Sequence, residues 1–131
     1  MGNVISAFWK GITYKGGPGH YAFILHRITG IGVALFLVLH VLDTFFIMFG
    51  EDFFNEVLAL YSNPLLRITE VFLIFSVVFH AFNGVRVIIV DFWAPSSHVQ
   101  RTLWILVWIV VIPITLVAAW FTLAPIFGIE V

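Results

Sequence analysis

Residues 103–123 read LWILVWIVVIPITLVAAWFTL and contain no Lys, Arg, Asp, Glu, His or Met. About 20 such residues in an α-helix cross the hydrocarbon core of a bilayer. Two further apolar runs lie upstream, from about Ile28 to Phe49 and from about Val71 to Val90. Neither shows period-2 alternation or regular turn signals, and open sheet edges cannot face lipid, so a helical reading remains. Of the 131 residues 62% are hydrophobic and 10% charged, against roughly 25% charged in a soluble domain. The sequence predicts an all-α integral membrane protein with three transmembrane helices, at about 21–49, 63–92 and 102–127. Residues 1–20 form an N-terminal segment at the cytoplasmic face or interface, and no room remains for a separate soluble catalytic domain.

Six Lys and Arg against seven Asp and Glu give a formal net charge of −1, which excludes a nucleic-acid-binding patch. The absence of cysteine excludes disulfides, iron–sulfur ligation by this chain and covalent C-x-x-C-H haem attachment. Lys10, Lys15 and Arg27 precede or open the first span, and Arg86 and Arg101 flank the link between the second and third. By the positive-inside rule these parts are cytoplasmic, so the N-terminus is cytoplasmic. The first link, with Glu51, Asp52 and Glu56 against Arg67, and the C-terminal end with Glu130 lie outside. Trp93, Trp104 and Trp108 then fall near the inner interface and Trp120 nearer the outer.

Phe53, Phe54, Val57, Leu58 and Tyr61 recur at helical spacing between the first two spans, which predicts a short interfacial helix. Ser62, Asn63 and Pro64 mark a cap and first turn, with Arg67 and Glu70 spaced to pair at i,i+3. Pro113 should kink the third helix. Residues 1–20 lack the features of a transit peptide and no cleavage site follows a short apolar region, so the first span is retained. Residues 1–6 match a myristoylation pattern by chance, because three spanning helices make a lipid anchor redundant. Gly16, Gly17, Pro18 and Gly19 read as a flexible lead-in.

Ionisable groups inside a bilayer are functional candidates by default. They are His40 and Asp43 in the first span and His80, Arg86 and Asp91, with Asn83, in the second; the third is structural. Gly84 lies one turn beyond His80, about 40° round the helix, so a flat macrocycle could approach the backbone there. A neutral imidazole in a dry bundle is a good haem-iron ligand if its other N–H finds an acceptor. The alternative is a histidine bonded to a neighbouring helix. Counted from Arg27 and Arg86 as one level, His80 lies about 9 Å deep and His40 about 20 Å deep, so the two do not share an iron.

His80-Ala81-Phe82-Asn83-Gly84-Val85-Arg86, followed by Asp91, resembles the H-x-x-x-G-[IV]-R…D pattern of the cytochrome b membrane anchor subunit of succinate dehydrogenase. Leu25-His26-Arg27-Ile28-Thr29-Gly30 is similar to that family's L-H-R-x-[ST]-G motif, and the resemblance covers about Tyr21 to Trp93. It implies that His80 is the axial ligand of haem b and Arg27 the quinone-site arginine. A family member carries serine four residues before this arginine where this chain has Phe23, so hydroxyl contact to the quinone falls to Tyr21, Thr29 or a partner chain. Arg27 is otherwise a snorkelling interfacial cation. His26 is a candidate for quinone contact, haem propionate or interfacial capping, and Arg86 for haem propionate or interface marking. His40 resembles the first-helix histidine of two-haem relatives and is a candidate second haem ligand; the alternative is a hydrogen bond across the bundle, with Asp43 as one partner.

The implied function is the haem b-binding membrane anchor, residues 21–131, of succinate:quinone oxidoreductase (respiratory complex II) in a bacterial cytoplasmic membrane. Its cofactors are haem b, one or two, and a quinone, either menaquinone or ubiquinone. Its partners are a second small membrane anchor subunit supplying haem ligands, an iron–sulfur subunit, a flavoprotein subunit and membrane lipid. Together the two anchors make a multi-subunit helix bundle. Alternatives are the anchor of a quinol:fumarate reductase and a cofactor-free structural anchor.

Overall fold

A computed structural model of the chain describes residues 6, 9–10, 17–93 and 97–129. Residues 1–5, Lys15, Gly16 and Glu130, which enter the sequence reading, lie outside the described residues. Helix α1 spans Gly17–Phe46, α2 Glu51–Leu60, α3 Pro64–Trp93 and α4 Ser97–Leu123. Among the described residues there is no strand, and three helices are long and apolar enough to cross a membrane.

The helix boundaries follow from local chemistry. Helix α1 starts at Gly17, earlier than the sequence indicates, so most of the expected lead-in is already helical. Gly17 itself sits at φ 72°, a conformation that costs glycine nothing. A 3₁₀ turn, Ile47–Phe49, extends α1 until Gly50 at φ 101° turns the chain away. Glu51 and Asp52 then occupy the first turn of α2, where the helix dipole favours acids. Phe53 of α2 packs edge-on against Phe46 and at a tilt against Phe49, with ring centroids 5.7 and 5.5 Å apart. At the start of α3 the Asn63 side chain accepts from the Leu65 N–H at 2.9 Å, and Pro64 fills the first helical position, where no N–H is needed.

The expected Arg67–Glu70 pair is replaced by a different contact. Arg67 Nη1 donates to the Thr122 carbonyl at 2.9 Å, one of the last carbonyls of α4, which lack partners within their own helix. A fixed acceptor on the neighbouring helix outcompetes a solvent-screened carboxylate. Helix α4 continues through Pro113, and a 3₁₀ turn, Ala124–Phe127, ends it at Gly128 with φ 71°.

The three long helices run antiparallel in sequence order, with α3 between α1 and α4. Two seams of different composition hold α3. Towards α4 it is aromatic and apolar: Phe79, Val107 and Val111 are buried, flanked by Phe75, Trp104 and Trp108. Towards α1 it is small and polar, with Ala22, Thr29, Ser76 and Asn83 buried. Lipid tails are as apolar as leucine, so helices in a bilayer gain little from burying leucines and associate through close packing and hydrogen bonds instead. The large aliphatic side chains accordingly stay on the outside: Ile31, Leu37, Ile109 and Leu116 are all exposed.

Candidate functional site

The small, polar seam is where the sequence-predicted residues meet. Gly32 lies against Ser76, and a Cβ there would sit 2.5 Å from Ser76 Oγ, so the two backbones approach more closely than any side chain at position 32 would allow. Two residues nearer the start of α1, Gly30 makes room for His80, whose Cε1 lies 3.2 Å from where a Cβ would be. The ring of His80 is therefore seated against the backbone of α1.

His80 Nδ1 lies 3.1 Å from the His26 carbonyl and 3.4 Å from Thr29 Oγ1. A carbonyl only accepts, so Nδ1 carries the proton and donates, leaving Nε2 as the basic nitrogen. The rings of His26 and His80 stack at 3.8 Å between centroids and 8° between planes. Stacked rings direct their nitrogens side by side and do not converge on one point, so a two-histidine iron site would need a ligand from another chain. The space over Gly84 holds the His26 ring, with Cε1 3.7 Å from an added Cβ.

Four buried polar side-chain atoms have no partner among the described residues: His26 Nδ1 in this stack, Asn83 Oδ1 on the same seam, Arg86 Nε further along α3, and Thr115 Oγ1 on α4. Each such group costs roughly 1–3 kcal/mol if it stays unsatisfied, so His26, Asn83 and Arg86 are groups that a polar ligand would satisfy. Asn83 spends only its amide, donating from Nδ2 to the Ala22 carbonyl at 3.5 Å. Arg86 is buried with its guanidinium 5.7 Å from the Trp104 ring. These groups fit a haem on three counts. His80 offers a basic nitrogen with its tautomer fixed, Arg86 an unmatched cation for a propionate, and the seam a dry surface.

The remaining candidates are dispersed. Arg27 is exposed, with its guanidinium 5.1 Å over the Phe23 ring. Phe23 thus acts as a cation–π platform that holds the charge in place. Tyr21 is exposed beside the His20 ring and projects about 120° round α1 from Arg27. Thr29 is 1% exposed and its hydroxyl is engaged within the helix, donating to the Leu25 carbonyl at 2.8 Å. Asp91 is exposed near the end of α3.

His40 is well separated from His80. It lines a pocket of about 340 Å³ between α1, α2 and α3 with Asp43, Tyr61, Thr69 and Glu70. Its ring stacks on Phe36 at 5.6 Å, and among the described residues that ring makes no hydrogen bond. Asp43, a candidate partner for it, is taken by Tyr61, whose hydroxyl lies 2.8 and 3.0 Å from the two carboxylate oxygens. The His26–His80 stack and the aromatic platform under Arg27 do not emerge from sequence alone. The signal was present in the spacing Ala22, His26, Thr29, which puts one small and two polar side chains on a single helical stripe.

Residues 12–119 match the model of a family described as succinate dehydrogenase/fumarate reductase transmembrane subunit. The Mycobacterium tuberculosis protein named succinate dehydrogenase 2 membrane subunit SdhC is 42% identical over 94 residues, which cover 71% of this chain and 69% of that protein.

Proposed function

Because the chain belongs to the succinate dehydrogenase/fumarate reductase transmembrane subunit family, we propose that it is the haem b-binding anchor of a succinate:quinone oxidoreductase. In this reading partner subunits carry the flavin and iron–sulfur chemistry, and the N-terminus faces the cytoplasm of a bacterial cell. A second small anchor subunit would complete the bundle and supply haem ligands. The observation that carries the reading is His80, whose Nδ1 is bound to the His26 carbonyl so that Nε2 is left basic. The unmatched Arg86 Nε adds to it.

His80 would hold the haem iron and Arg86 a propionate; a bound b-type haem supplies a one-electron centre within the membrane. Arg27, steadied on Phe23, would bind a quinone carbonyl and stabilise the negative charge that develops as the ring is reduced. That stabilisation strengthens in a low-dielectric site. His26 separates the two functions: its ring packs on His80 while its neighbour Arg27 points to the exposed side of α1. Among the described residues His40 has no partner that fixes its tautomer, so its role as ligand of a second haem depends on the haem stoichiometry of the complex.

The test uses the purified complex with all subunits. His80→Ala should abolish the b-type absorption in reduced-minus-oxidised spectra, and an unchanged spectrum would overturn the ligand assignment. Arg27→Ala should lower quinone reduction by about 10²-fold while succinate oxidation with a soluble dye is retained. Equal loss with both acceptors would place Arg27 outside the quinone site. Two low-spin haems per complex would give His40 its role; one would leave it as packing.

A further inference from the structure

We propose that Thr29 is a positioning residue for His80, holding the imidazole in one tautomer and one orientation through its side-chain oxygen. The proposal rests on the haem reading above and goes beyond it by giving the second acceptor of the ring proton a name.

The assignment comes from counting protons. Thr29 has one hydroxyl proton and two carbonyls within reach, Leu25 O at 2.8 Å and His26 O at 3.1 Å. The shorter contact takes the proton. The His26 carbonyl is then free to accept from His80 Nδ1 at 3.1 Å, and the Thr29 oxygen turns a lone pair towards the same N–H at 3.4 Å. The His80 proton is shared between two acceptors on a single turn of α1. With Nδ1 unprotonated, its lone pair would face the carbonyl oxygen at that distance, an electrostatically unfavourable arrangement in a low-dielectric seam.

Two steric features keep the ring there. Gly30 offers no side chain, and a methyl at that position would sit 3.2 Å from His80 Cε1. The His26 ring closes one face of the imidazole at 3.8 Å. Position 26 therefore supplies a carbonyl and a flat wall, position 29 an oxygen and position 30 free space. Thr29 itself is 1% exposed, so its hydroxyl serves the interior of the seam. Acceptors behind a ligating histidine raise its basicity and fix its plane, and their loss typically weakens metal binding by about 10–100-fold.

The experiment compares Thr29→Val, Thr29→Ser, Gly30→Ala and His80→Ala in the complete complex. Haem content, the low-spin electron paramagnetic resonance signal and the haem midpoint potential are measured for each. Thr29→Val keeps the shape but removes the acceptor, so haem retention should weaken by about 10-fold and the potential should rise, because a less basic imidazole stabilises ferric iron less. Thr29→Ser should restore both. Gly30→Ala leaves the hydroxyl but displaces the ring from it, and should shift the potential in the same direction as Thr29→Val. It decides the matter if Thr29→Val does not assemble. Wild-type potential and spectrum in Thr29→Val, or in Gly30→Ala should the valine variant be lost, would overturn the proposal. Loss of haem in His80→Ala beside an unaffected Thr29→Val would refute the positioning role alone, whereas haem retained in His80→Ala would refute the ligand assignment beneath it.

Discussion

Gly32 and Gly84 look alike in the sequence, yet the structure gives them opposite tolerances. A Cβ on Gly32 would lie 2.5 Å from Ser76 Oγ and 2.7 Å from Ser76 Cβ, distances that force the helices apart. Gly32→Ala should therefore lower the thermal stability of the complex by about 1–3 kcal/mol. Ser76→Gly in the same molecule should recover most of the loss, which a double-mutant cycle in detergent would measure as coupling. Gly84→Ala adds a methyl at 3.7 Å from the His26 ring, an ordinary contact, and should be nearly silent. At this scale the sequence locates His80, Arg27 and Arg86 through motif and spacing. It does not disclose which side chain lies over Gly84, because that depends on the register of α1 against α3, and no residue on α3 alone encodes it.

Among the elements, α2 and the start of α3 were the most legible. Asn63 and Pro64 cap and open α3 as their chemistry requires, so Asn63→Ala should lower stability by about 1 kcal/mol in a thermal melt. The partner of Asp43 was not legible, since Tyr61 lies beyond a turn and is brought back to α1 only by the packing of α2. Burial, followed by the hydrogen bond to Asp43 and the charges of Asp43 and Glu70, holds the Tyr61 phenol above its ordinary value of 10.0. A raised pKa means that the folded state favours the protonated form. Its contribution is complete below the unfolded value and is lost as pH climbs through the higher folded one. Tyr61→Phe should remove this alkaline loss from the pH dependence of the melting temperature. It should also delete an upward-shifted step from an ultraviolet titration of tyrosinate. Arg67 teaches the same lesson as Asp43: a neighbour at i,i+3 loses to a carbonyl on another helix.

For the whole molecule, the up-down-up course of α1, α3 and α4 was readable because three apolar runs leave no other arrangement in a bilayer. It brings the N-terminal end of α1 and the α3–α4 link to one end of the bundle, with Arg27, Arg86 and Arg101 near it. In the proposed reading that end would face the cytoplasm, as the positive-inside rule expects. A C-terminal alkaline phosphatase fusion should be active and a C-terminal fluorescent fusion dark; the reverse pattern would invert the topology. The contact between Gly32 and Ser76 also has a mechanical side. It sits about 9 Å along α1 from His26 and about 12 Å from His40, between the histidine stack and the pocket that holds Asp43 and Tyr61. With a glycine against a serine there, it is the natural fulcrum of the α1–α3 crossing. A small tilt of α1 about it would act as a seesaw, opening one end of the seam as the other closes.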